Sequence, residues 1–222
     1  MPIISFAASK GGAGKTTLCL LIASELAVRG VPVTVLCTDP QHSAHKWSLR
    51  AAAAGNLPSN LNVERIDTEA IFNERLETSA DTDLVLIDVQ GALNQYLTIA
   101  LAAADVTVVP SRATYMDVVE AVAIFEFANR LKSANLRLVL NEVKAVDTRT
   151  VAFTEAVRLV HSRQIPVFNT MVTQRAVFAQ FSIDAGSLDR LVIDPSKAEQ
   201  VAKARLNIGR LMAEILEQAG YQ

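Results

Sequence analysis

Ser9-Lys10-Gly11-Gly12-Ala13-Gly14-Lys15-Thr16-Thr17 is the stretch on which the fold turns, because of what lies on either side of it. Ahead of it Ile3 to Ala8 is a short apolar run of strand length, and behind it Lys15 to Arg29 carries the apolar period of a helix. A glycine-rich turn between strand and helix lets the backbone wrap closely around an anion, and the helix start points unpaired N–H groups at it. Lys15 adds positive charge, and the Thr16 hydroxyl is a ligand for Mg²⁺. Gly11, Gly12, Ala13, Gly14, Lys15, Thr16 and Thr17 therefore read as the phosphate site of a nucleoside triphosphate. The general pattern G-x-x-x-x-G-K-[ST] asks for glycine at position 9, where this chain has Ser9, so the loop is a deviant form.

Outward from that loop, short apolar runs keep alternating with longer segments of helical period. Strands are expected at Pro32 to Cys37, Asn62 to Ile66, Leu84 to Val89, Val106 to Pro110 and Leu136 to Asn141, with a further short one near Val167. Helices are expected at Ser43 to Ala54, Thr68 to Ser79, Leu93 to Ala103, Met116 to Lys132, Thr150 to Ser162 and Ser196 to Ala219. The last should start at Asp194-Pro195, with Asp194 as cap and Pro195 in the first turn, and stop near Gly220. Such an alternation predicts an α/β fold: a mostly parallel sheet with helices on both faces, as one P-loop NTPase domain over residues 1–222. No repeat, low-complexity tract or interdomain linker interrupts it. Ala53-Ala54-Gly55-Asn56-Leu57-Pro58 reads as a helix end and a surface loop.

Composition narrows the function classes. The chain has 222 residues, 50% hydrophobic and 20% charged, which is enough to bury a core and excludes disorder as its main state. A formal charge of −2 gives no overall basic field for nucleic acid or anionic lipid, so any DNA contact must come from a local patch. Charge is uneven: residues 1–110 hold 7 basic and 11 acidic side chains, residues 111–222 hold 14 and 12. Arg158, Arg163, Arg175, Arg190, Lys197, Lys203, Arg205 and Arg210 are spaced so that dimerisation would gather them into a stripe, or else they form an ordinary mixed surface. Two cysteines, Cys19 and Cys37, are too few for a disulfide framework or a four-thiolate metal site. The first residues lack the basic flank of a signal peptide, and no run reaches the roughly 18 apolar residues of a membrane span. A cytoplasmic protein with no membrane association is the expectation. His42 and His45 lack an obvious third metal ligand and read as helix surface.

The block Lys10-Gly11-Gly12-Ala13-Gly14-Lys15-Thr16-Thr17 resembles the signature of the ParA/MinD superfamily of deviant Walker ATPases, and the chain is most like its short, ParF-like partition members. The resemblance implies that Lys10 reaches across a nucleotide-sandwich homodimer to the partner's phosphates. Val35-Leu36-Cys37-Thr38-Asp39-Pro40-Gln41 resembles the family's second box, usually Asp-x-Asp-Pro-Gln; Asp39 would hold the attacking water, and Cys37 replaces the first aspartate. That replacement removes a carboxylate from the lysine and metal network, and slower hydrolysis follows from it; Cys37 itself reads as a small buried hydrophobe. Leu84-Val85-Leu86-Ile87-Asp88 is an apolar strand delivering an acid, and Asp88 is the expected Walker B carboxylate, holding Mg²⁺ through water. The family continues with Thr-Pro-Pro-Gly, whereas Val89-Gln90-Gly91 stands here, so that loop is altered. Weaker matches are Ala103-Ala104-Asp105 with Val106 to Pro110, Tyr115-Met116-Asp117, Gln174-Arg175 and Gly186. Asn141 ends a strand where such proteins contact adenine; it is a candidate base reader or a strand-end cap.

The function this resemblance implies is an ATPase using ATP and Mg²⁺, with Lys10, Lys15 and Asp39 in the catalytic roles and slow, partner-stimulated hydrolysis. It would dimerise with ATP, bind non-specific DNA, associate with the nucleoid, and partition a plasmid or chromosome with a centromere-binding, ParB- or ParG-like adaptor. Alternatives on the same fold are an accessory ATPase of conjugative DNA transfer and a MinD-like positioning ATPase. The latter would need a basic, bulky apolar C-terminal anchor, and Leu211 to Gln222 is acidic instead.

Overall fold

The computed structural model describes residues 1–79, 83–89, 93–133, 135–144, 146–191 and 197–221. Six strands, β1 (Ile3–Phe6), β2 (Val33–Cys37), β3 (Leu61–Arg65), β4 (Leu84–Asp88), β5 (Val106–Arg112) and β6 (Leu136–Asn141), form one sheet in the order β3-β2-β4-β1-β5-β6. Every pairing in it is parallel. The apolar run at Val167 does not become a seventh strand; it makes an isolated parallel bridge to Leu138.

Because side chains alternate across a strand, an uninterrupted apolar run fills both faces of a covered sheet. Strand β4 shows this: Leu84 and Leu86 join one core and Val85 and Ile87 the other. The first core is completed by helices α1 (Lys15–Val28), α2 (Ser43–Ala53) and α8 (Ala198–Gln218). The second is completed by α3 (Glu69–Ser79), α4 (Gln95–Ala103), α5 (Tyr115–Arg130) and α6 (Val151–Ser162). Helix α8 is tied to α1 by Arg205, whose Nε and Nη2 donate to the Glu25 carboxylate at 2.9 and 3.2 Å, with Glu25 only 1% exposed.

Side-chain caps set several helix starts. Asn94 accepts from the Leu97 amide, Thr114 from Asp117 and Thr150 from Phe153, which moves the start of α4 to Gln95 and of α5 to Tyr115. Helix α8 starts after Lys197, and the expected Asp194-Pro195 start lies outside the described residues, as does the Gln90-Gly91 part of the altered loop. A short helix, α7 (Ala176–Gln180), and a π-helical turn, Phe181–Ala185, were not expected. They precede Gly186, whose φ of +69° needs glycine and whose added Cβ would collide with the Asn56 carbonyl. Among the described residues no helix is long and apolar enough to cross a membrane.

Candidate functional site

The strand order reverses about β4 and β1, and in parallel α/β sheets the crevice at such a switch point, beyond the carboxyl ends of the strands, is where ligands bind. Register brings three ends level: Phe6 of β1 and Cys37 of β2 both pair with Asp88 of β4. The glycine loop, the Asp39 segment and Asp88 therefore converge. A cavity of about 430 Å³ opens there, lined by residues 10–17, Asp39, Gln41, Ser43, Trp47, Arg50 and Ser182 among others.

The loop is shaped by Gly12 and Gly14, which take φ of +86° and +80°. Gly14 is also the residue ahead of α1, which has no side-chain cap and no acidic residue in its first turn. Its first amides and positive dipole end are thereby left to an anion. Lys15, 8% exposed, donates to Asp88 Oδ1 at 2.6 Å, and the Thr16 hydroxyl donates to the same carboxylate at 2.9 Å. Asp88 is fully buried. Hydroxyl and carboxylate oxygens side by side are a donor set suited to a hard cation such as Mg²⁺, and the Lys15 ammonium lies against the same carboxylate. Among the described residues no cluster of three or more His, Cys, Asp or Glu offers another metal site. His42, at φ +51° just ahead of α2, sits 3.7 Å from Asp67.

Lys10 is 2.7 Å from Asp117 Oδ1 at the start of α5. Burial pushes the Asp117 carboxyl up, but the hydrogen bonds from Lys10 and Thr114 and the charges of Lys10 and Arg112 outweigh it and hold it below the usual range. Asp39 Oδ1 accepts from the Gln41 amide at 2.9 Å, fixing that loop at the cavity rim. Cys37 is buried beside Asp88, and both burial and the Asp88 charge raise its thiol pKa; Cys19, also buried, is raised further by the same two causes. Asn141 stands beside the loop: its amide donates to the Ala13 carbonyl at 2.8 Å, and an added Cβ at Gly14 would collide with it. In this structure its carboxamide braces the loop.

Sequence reasoning missed the far wall of the cavity. Trp47 donates from Nε1 to the Phe181 carbonyl at 2.9 Å, Arg50 to those of Ile183 and Ser182 at 2.9 and 3.3 Å, and Asn56 to Asp184 at 3.0 Å. Four successive carbonyls of the π-helical turn are thus held by α2 and the loop after it. The lone Trp, eight residues past Asp39, was the available signal. Gln174-Arg175 lies just ahead of α7, with the Arg175 Nε buried and without a hydrogen-bond partner among the described residues. Of the expected basic stripe, Arg158, Arg163, Lys203 and Arg205 are each paired with a glutamate of this chain.

A deviant P-loop at the switch point of a parallel sheet, with a lysine at position 10 and a strand-end Asp88, is the arrangement of a ParA/MinD-type deviant Walker P-loop protein. More particularly, the chain belongs to the VirC1 protein family, whose model matches residues 1–219. It is 31% identical to "Protein ParA" of Rhizobium radiobacter over 67% of this chain and 61% of that protein. It is 22% identical to "Protein virC1" of Rhizobium rhizogenes over 80% of this chain and 70% of that one. The match thus spans about three fifths of the ParA relative's length. An ATP complex of a variant McdA from Cyanothece shares the fold, with TM-score 0.72, 15% identity, and coverage of 100% of this chain and 97% of that one.

Proposed function

We propose that the protein hydrolyses ATP slowly, dimerises around it, binds DNA without sequence preference in that state, and partitions or positions a cargo with a centromere-binding adaptor that stimulates hydrolysis. The observation that carries this reading is the joining of Lys15, Thr16 and Asp88 under the glycine loop, with Lys10 and Asp39 on its rim. Kinship with the ParA and virC1 proteins supports it.

In this scheme the phosphates draw Lys15 away from Asp88, and the free amides of α1 and the loop take their remaining oxygens. Thr16, and Asp88 through water, would hold Mg²⁺, which supplies charge neutralisation and leaving-group stabilisation at the phosphates. Asp39 orients the attacking water. Lys10 leaves Asp117 for the partner's nucleotide, so exchange of this ion pair accompanies dimerisation. Cys37 leaves the site one carboxylate short and turnover low. Arg190, Lys197 and Arg210 stand outside the ion pairs found among the described residues and are the cations for DNA phosphates.

The test is binding to non-specific duplex DNA at one fixed low salt with ATP, ADP and no nucleotide, using Asp39→Ala to hold the ATP state. Tight binding with ATP alone is expected. Equal binding in all three states, or none in any with nucleotide affinity intact, overturns the DNA-partition reading.

A further inference from the structure

On its β5–β6 side the glycine loop is flanked by an ion pair that the scheme above does not use. Arg112, the last residue of β5, donates from Nε to Glu142 Oε2 at 2.8 Å, and Glu142 directly follows the last residue of β6. The two ends of the pair rest against different glycines of the loop. An added Cβ at Gly12 would lie 3.8 Å from Arg112 Nη2, and one at Gly14 would lie 3.6 Å from Glu142 Oε1. Glu142 reaches this place in a left-handed conformation, φ +55°, which side chains other than glycine adopt seldom and at a cost.

The chemistry of such a pair favours exchange. Arg112 and Glu142 are 48% and 36% exposed, so water screens their attraction and little is lost when they part. A guanidinium binds phosphate oxygens in a planar fork, and a polyphosphate carries more charge than one carboxylate. The other two cations of the loop show the same arrangement: Lys15 rests on Asp88 and Lys10 on Asp117. Each positive group at the loop is thus held by a carboxylate of this chain. The charge of Arg112 already acts on this rim, where it helps to lower the Asp117 carboxyl.

We propose that Arg112 is a further nucleotide-binding residue, exchanging Glu142 for the polyphosphate of a nucleoside triphosphate held in the glycine loop. Glu142 is its positioning residue: it keeps the guanidinium beside Gly12 and competes with the nucleotide for it. This rests on the reading of the loop as an ATP site. Removing the two partners then has opposite effects, which a merely structural brace would not produce.

The experiment is calorimetric titration of the full chain with a non-hydrolysable ATP analogue and Mg²⁺, for wild type, Lys15→Ala, Arg112→Ala, Glu142→Gln and the double variant. Expected is an affinity about tenfold weaker for Arg112→Ala, tighter than wild type for Glu142→Gln, and the double variant following Arg112→Ala. Unchanged affinity in both single variants, or equal weakening in both, overturns the proposal while wild type still binds and Lys15→Ala does not. Should Arg112→Ala fail to fold, the direction of the Glu142→Gln change decides alone. Wild type that binds no nucleotide overturns the ATP reading and this proposal with it.

Discussion

Replacing Asp88 by Asn separates the charge of this group from its shape. The carboxylate is fully buried and takes hydrogen bonds from Lys15 Nζ at 2.6 Å and Thr16 Oγ1 at 2.9 Å, while Lys15 is itself 8% exposed. Asn keeps an acceptor oxygen but leaves the ammonium buried without a counter-charge. Removing one partner of a buried pair costs about 3–5 kcal/mol, and the retained oxygen sets the expectation near the lower end, about 3 kcal/mol. In a chain of this size each kcal/mol moves Tm by about 2–4 °C, so Asp88→Asn should melt roughly 6–12 °C below wild type without nucleotide. Phosphates restore a negative partner to Lys15. Scanning calorimetry with an ATP analogue and EDTA should therefore raise Tm more in Asp88→Asn than in wild type, and adding Mg²⁺ should add less. A nucleotide-free Tm within about 1 °C of wild type, with the same ligand shifts, would refute the claim that this pair holds the resting loop.

Four further outcomes follow from named residues. Gly186→Ala should destabilise the chain by at least about 2 kcal/mol in urea unfolding, since its φ is positive and its Cβ would meet the Asn56 carbonyl; an unchanged midpoint would count against that packing. Cys19 and Cys37 should resist a thiol reagent in the native state and react after unfolding. Because their folded pKa values are raised, their contribution is whole below the ordinary thiol pKa and is lost as pH climbs above it, so a Cys19→Ala/Cys37→Ala variant should show a flatter alkaline decline in stability. The Asp117 carboxyl is held below its ordinary value, so its contribution is present above that value and is lost only as pH falls through the lowered one; the Lys10 contact should be unchanged across neutral pH by NMR titration of Asp117, and a midpoint at or above the ordinary carboxylate value would contradict it.

The fold was legible because its signals are local and repeated: the apolar runs at Ile3, Val33, Leu84, Val106 and Leu136 all became parallel strands. Boundaries moved where a cap decided them, as at Asn94 and Thr114. The loop from Lys10 to Thr17 and the position of Asp88 were legible because spacing alone puts them at strand ends. What the sequence hid were partnerships set by the sheet order and by backbone turns. Nothing in the letters says that Lys10 meets Asp117, that Asn141 donates to Ala13, or that Glu142 turns left-handed to face Arg112. The wall formed by Trp47, Arg50 and the π-helical turn joins residues more than 130 apart, beyond any motif window.

The central claim is that ATP in this loop switches the chain from one copy to two through Lys10. Sedimentation of Asp39→Ala with and without Lys10→Ala, in ATP and in ADP with Mg²⁺, tests it most directly. Expected are a dimer for Asp39→Ala in ATP, a monomer in ADP, and a monomer in both once Lys10 is also removed. A dimer that persists in ATP without Lys10, or an Asp39→Ala protein that stays monomeric in ATP while binding it, would contradict the account.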